Sequence, residues 1–62
     1  MDYSGMTVNE RLFAAGLLED FEAAGRSRDR ERMLELLGAV DLADQSEEIV
    51  GKILADPGFY GF

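Results

Sequence analysis

Thr7-Val8-Asn9-Glu10-Arg11-Leu12-Phe13-Ala14-Ala15-Gly16-Leu17-Leu18-Glu19-Asp20-Phe21-Glu22-Ala23-Ala24-Gly25 is the stretch on which the fold turns. Thr7 and Glu10 stand three apart at its start. This is the spacing of a capping box, in which the threonine side chain accepts from the amide three residues on and the glutamate reaches back to the threonine amide. The stretch is predicted to be one helix running to about Ala24, with Gly25 as a terminating residue tolerant of positive φ. At about 100° per residue, Phe13, Ala14, Leu17, Leu18, Phe21 and Ala24 share a broad face, which is the expected core face.

The opposite side of that helix is also apolar or small: Val8, Leu12, Ala15, Gly16 and Ala23 gather there, with Glu19 among them. Arg11 and Glu22 lie along one seam and Asp20 near the other. A helix coated in this way is either central in its domain or touches a second chain. Three helices packed as a triangle need one broad stripe from each, so the surplus face is expected to meet a partner. Ala15, Gly16 and Ala23 would let another helix close on Leu12, whose full burial would contribute about 1.5–3 kcal/mol.

Outward from this stretch the pattern is simpler. Residues 25–29 form a short polar connection, and either Ser27 or Asp29 caps the next helix. Met33, Leu36, Leu37 and Val40 line one stripe with Leu34 at its margin, and Glu31, Arg32, Glu35 and Ala39 fall opposite. Asp41 is the expected cap of a third helix over Leu42 to Ala55. In it, Leu42, Ser46, Ile49, Val50, Ile53 and Leu54 share a face, while Asp44, Glu47, Glu48, Gly51 and Lys52 look outward. Ile49, Val50 and Ile53 are β-branched, but their 3.6-residue spacing argues for helix.

Asp56-Pro57 ends the third helix, because the residue before proline is pushed out of the α region. Pro57-Gly58 suits the centre of a type II turn. Phe59, Tyr60 and Phe62 follow, expected to fold back over the open end of the core, with docking into a partner's groove the alternative. The predicted fold class is all-α: a small three-helix bundle with a C-terminal aromatic tail. Residues 7–62 form its single domain and residues 1–6 a flexible N-terminal extension.

Composition bounds the function. A chain of 62 residues buries only about 60% of the surface its unfolded form exposes, so it depends on close helix packing or on a partner. Neither cysteine nor histidine occurs. That removes disulfides and the usual zinc ligands, and it fits a reducing cytoplasm. Thirteen acidic against six basic residues give a formal charge of −7, a field that repels nucleic acid and anionic membranes and favours a basic partner. No run approaches the roughly 20 apolar residues of a membrane span, and residues 1–5 carry no leader pattern.

The candidate chemistry is thin. Without histidine or cysteine no conventional nucleophile–base pair is available. Lys52, the only lysine, falls on a solvated face, the opposite of the setting that lowers a lysine pKa. Ser4, Thr7, Ser27 and Ser46 have the positions of turn, cap and core-margin residues. Asp41, Asp44, Glu47 and Glu48 lack the alternation and central glycine of a calcium loop and suit helix starts instead. Arg26, Arg28, Arg30 and Arg32 are interleaved with Asp29 and Glu31 and fan around a helix start, as surface ion pairs do. No catalytic residue, metal site, cofactor or small-molecule substrate is therefore expected.

Asn9-Glu10-Arg11-Leu12-Phe13, then Ala15-Gly16-Leu17-Leu18 and Phe21, then Arg28-Asp29-Arg30 ahead of Met33 and Leu36-Leu37, and the ending Ile53-Leu54-Ala55-Asp56-Pro57 with Tyr60-Gly61, together resemble short helical bacterial proteins of unknown function, above all proteobacterial ones. The resemblance runs from Met6 onward and implies a bacterial cytoplasmic protein, with no activity or ligand attached. The expected function is a non-enzymatic, self-associating protein–protein interaction module of unknown pathway. Its partner is another protein or a second copy of itself, met along Val8, Leu12, Ala15, Gly16, Glu19 and Ala23. The alternative is a small acidic inhibitor, anti-CRISPR- or antitoxin-like, that blocks a basic site on a larger protein.

Overall fold

The computed structural model describes residues 2–62. Four α-helices follow one another: α1 (Val8–Ala14), α2 (Leu18–Arg26), α3 (Arg30–Ala39) and α4 (Ser46–Ala55), with one 3-10 turn over Ala43–Gln45. No strand occurs among the described residues. The fold is thus all-α, with one helix more than the sequence pattern predicts.

The additional helix arises because the expected first helix breaks at Ala15-Gly16-Leu17. Its start is as predicted: the Glu10 amide donates to Thr7 Oγ1 at 3.1 Å and the Thr7 amide to Glu10 Oε1 at 2.9 Å. These bonds to Thr7, backbone first and side chain second, hold the Glu10 carboxyl below its ordinary pKa. Two turns later Gly16 adopts φ +74°. The Gly16 amide donates to Phe13 O at 3.0 Å and the Leu17 amide to Leu12 O at 2.8 Å. Those two bonds define a Schellman motif, which satisfies the last carbonyls of a helix and turns the chain away from its axis.

The same device recurs along the chain. Asp29 N–H donates to Ala24 O at 2.8 Å and Arg28 N–H to Gly25 O at 3.2 Å, with Arg28 at φ 57°. Leu42 N–H donates to Leu37 O at 3.0 Å and Asp41 N–H to Gly38 O at 3.3 Å, with Asp41 at φ 63°. Asp41 therefore closes α3 rather than capping the next helix, and α4 starts at Ser46 after the 3-10 turn. Ser46 is buried, and its hydroxyl donates to Ala43 O at 2.9 Å. At the junction of α2 and α3, Asp29 is the cap, accepting from the Arg32 amide at 3.2 Å. The Ser27 hydroxyl turns back to the Ala23 carbonyl.

The α3 and α4 stripes sit as predicted. Met33, Leu36, Leu37 and Val40 are buried, as are Leu42, Val50 and Ile53, and α3 packs on both α2 and α4. The correction falls on α1. Leu12, expected on a partner surface, is 0% exposed at the centre of the core, while Phe13, expected inside, is 74% exposed. Ala14 is exposed as well, whereas Phe21 and Ala24 on α2 are buried as predicted. A helical wheel drawn through both helices assumed a single axis, and the break at Gly16 gives each its own.

The segment before α1 is joined to the core. Tyr3 packs against it, and the Arg11 guanidinium lies 5.8 Å from the Tyr3 ring centroid. Arg11 Nε donates to Met6 O at 3.2 Å, and Arg11 Nη1 donates to Val40 O at 3.0 Å. Val40 is the C-cap of α3, where a cation meets the negative end of the helix dipole. These contacts join Tyr3 and Met6 to the helices, while Asp2, Ser4 and Gly5 are exposed; Met1, the first residue of the expected extension, lies outside the described residues.

Candidate functional site

The site expected from the sequence is dispersed by the break at Gly16. Leu12 is inside the core; Val8 and Ala15 are half-buried against it; Gly16, Glu19 and Ala23 are exposed. Gly16 and Glu19 border one shallow depression beside Phe13, and Ala23 borders another beside Asp29 and Arg32. The six residues do not form one stripe.

A different surface comes together instead. Val8 and Asn9 of α1, Leu18, Phe21 and Glu22 of α2, Ile49, Lys52 and Ile53 of α4, and Tyr60 and Phe62 beyond α4 line a partly open groove of about 260 Å³. The break at Gly16 gives α1 and α2 separate axes, and Val8 of one and Leu18 of the other line the same groove as Ile49 of α4. The apolar floor is Phe21 and Ile53, both buried. Asn9, Glu22 and Lys52 are exposed polar residues on its lining. The volume is below the ~300 Å³ at which sites for small ligands usually begin.

One side of the groove is made by residues 57–62. Gly58 does not take the positive φ of a type II turn. Instead, Phe59, Tyr60 and Gly61 donate in succession to Asp56 O, Pro57 O and Gly58 O at 3.1–3.3 Å. Gly61 (φ +86°) then ends this turn in the manner of Gly16, with Phe62 N–H on Pro57 O at 2.9 Å. The aromatic residues part company: Phe62 meets Phe21 edge to face at a centroid distance of 6.2 Å, whereas Phe59 is 77% exposed. Tyr60, 43% exposed, stacks edge-on with Phe59 at 5.0 Å. Gly25 makes room for the Phe62 ring, since a Cβ on Gly25 would stand 2.6 Å from Phe62 Cδ1 and Cε1.

The charged residues form surface pairs. Lys52 Nζ lies 3.3 Å from Glu48, Arg30 3.5 Å from Glu47 and Arg32 3.9 Å from Asp20, with a further Arg32–Glu35 contact. All are solvent-exposed, so each contributes little to stability. Glu22 and Lys52 are the charged residues on the groove lining; elsewhere α2 presents Glu19 and Asp20 and α4 presents Glu47 and Glu48, all exposed. Among the described residues no three potential metal-ligating side chains gather in one place, and no helix is long and apolar enough to cross a membrane.

No protein-family model, curated protein or solved structure matches the chain.

The sequence pattern assigned Leu18, Phe21, Ile49 and Ile53 wholly to the core and did not connect them with Val8. The available signal was Gly16-Leu17 following Leu12, a glycine with apolar residues on both sides at Schellman spacing.

Proposed function

We propose that this chain is a non-enzymatic protein–protein interaction module whose groove between α1, α2 and α4 receives a basic amphipathic helix from another protein. The observation that carries this is an apolar trough lined by Val8, Leu18, Ile49 and Ile53 in a chain whose α2 and α4 are rich in exposed carboxylates. Such a trough suits the helix-in-groove mode, where apolar side chains at i, i+3, i+4 and i+7 enter and polar ones stay outside. With a formal charge of −7, a cationic helix is attracted and a second copy of the chain repelled. The burial of Leu12 also removes the centre of the self-association surface expected from the sequence.

A non-catalytic role is supported by the side chains present. The chain has no histidine or cysteine, and Lys52 is exposed and paired with Glu48. An inhibitor that covers a basic site on a larger protein is a specific form of this reading, favoured by the five carboxylates of α2 and α4. A bacterial cytoplasmic setting belongs to the same proposal and is supported by the absence of cysteine and by the resemblance described above.

The test is a methyl NMR titration with a designed peptide of about 18 residues carrying leucines at helix-groove spacing and lysines elsewhere, against a scrambled peptide of the same composition. The expected result is selective movement of the Val8, Leu18, Ile49 and Ile53 methyls with the patterned peptide, weakening as salt is raised. Equal response to both peptides, or a response away from the groove, contradicts the proposal.

A further inference from the structure

Residues 57–62 are attached to the rest of the fold in an unusual way. Their backbone bonds form one closed turn, from Phe59 N–H on Asp56 O to Phe62 N–H on Pro57 O, and no hydrogen bond among the described residues joins them to α1, α2 or α3. Side-chain packing alone holds the turn in place. Its principal contact is the Phe62 ring, set against Phe21 and over Gly25 in the groove. Phe59 on the same turn points to solvent.

We infer that Phe62 is an intramolecular stand-in for a partner's anchoring residue: the turn swings about Asp56, Phe62 leaves the groove, and an aromatic side chain of the incoming basic helix takes its place. Three observations converge. The Phe62 subsite is shaped for a ring, since Phe21 offers its neighbour an edge-to-face contact and Gly25 lacks the Cβ that would obstruct it. Val8, Leu18 and Ile49 line the same partly open groove as Phe62, so an apolar surface adjoins the ring. The turn keeps its own hydrogen bonds when it moves, so release breaks none between it and the helices. A ligand that competes with an internal occupant binds more weakly by the fraction of molecules in which the site is open. The inference rests on the groove being the partner site, and the experiment separates the two.

The full chain, Phe62→Ala and Gly25→Ala are each titrated with the patterned cationic peptide bearing phenylalanine at its central anchor, and each is assayed for binding of an apolar fluorescent dye. Gly25→Ala expels the ring by its new Cβ while keeping a helix-favouring residue in α2, so it serves if removal of the ring disturbs the fold. Displacement predicts that both variants bind the peptide about tenfold more tightly than the parent. It also predicts higher dye fluorescence and a smaller gain when the peptide anchor is alanine. Weaker peptide binding by both variants would make Phe62 a wall of the site and overturn the inference, as would unchanged peptide binding and dye uptake. Increased dye uptake with no peptide bound by any of the three proteins would uphold release of Phe62 and refute the basic-helix reading.

Discussion

The amide of Leu17 donates to the carbonyl of Leu12 across 2.8 Å, ending α1 within two turns of its start and turning the chain so that Leu12 is buried on one side of the break. Had α1 continued, Leu12 and Phe21 would lie on different sides of one rod. With the break, both enter the same core and the α1–α2 corner becomes a wall of the groove. An isolated helix of seven residues is far too short to persist in water. α1 therefore depends on its capping box, its Schellman end and the burial of Leu12.

Gly16 is the residue that permits the corner. Its φ of +74° is unfavourable for a side chain, and a Cβ there would meet nothing within 4 Å, so the cost of Gly16→Ala is conformational alone, about 1 kcal/mol. Gly51 lies within α4, also with open space around it. There alanine removes backbone freedom from the unfolded chain, and Gly51→Ala is expected to stabilise by just under ~1 kcal/mol. Urea denaturation of the two variants should move in opposite directions.

Arg11 spans from the N-terminal segment to the end of α3. Arg11→Met keeps much of the stem but loses the donors to Met6 O and Val40 O, with an expected loss of about 1.5 kcal/mol. Arg11→Lys should recover only part of it, because an ammonium does not reproduce the fork that reaches two carbonyls. The measurement is equilibrium denaturation, with amide exchange at Met6 as a local readout.

The capping box gives a pH dependence of known sign. Folding lowers the Glu10 pKa, so its contribution is fully present above the ordinary glutamate value near 4.5 and is lost as pH falls through the lower folded value. Glu10→Gln does not titrate. The parent should therefore exceed the variant in stability near pH 7, and the gap should close as pH falls below the lowered folded value. A gap that widened on acidification would contradict the capping role.

Much of this was legible in the sequence. The Thr7–Glu10 box, the α3 stripe from Met33 to Val40 and the buried face of α4 follow from spacing alone, because each lies within one straight helix. What periodicity cannot register is a change of axis. Between Ala14 and Leu18 the angular bookkeeping fails, and two half-helices, each apolar on one side, superpose into one helix apolar on two. That superposition produced the expected partner stripe. Asp41 misled for a different reason: aspartate suits both a helix cap and a left-handed terminating position, and the sequence does not distinguish them. Arg28 at φ 57° carries no sequence signal, since arginine has no preference for that region. The groove was illegible because it is assembled from both sides of the missed corner.

The most direct test of the account compares two adjacent truncations, Leu12→Ala and Phe13→Ala, by urea denaturation. With Leu12 fully buried and Phe13 74% exposed, the expected losses are about 3 kcal/mol for Leu12→Ala, enough to unfold much of so small a domain, and less than ~0.5 kcal/mol for Phe13→Ala. The reverse order, with Phe13→Ala the damaging change, would mean an unbroken helix from Thr7 to Ala24 and would contradict both the corner at Gly16 and the groove built on it.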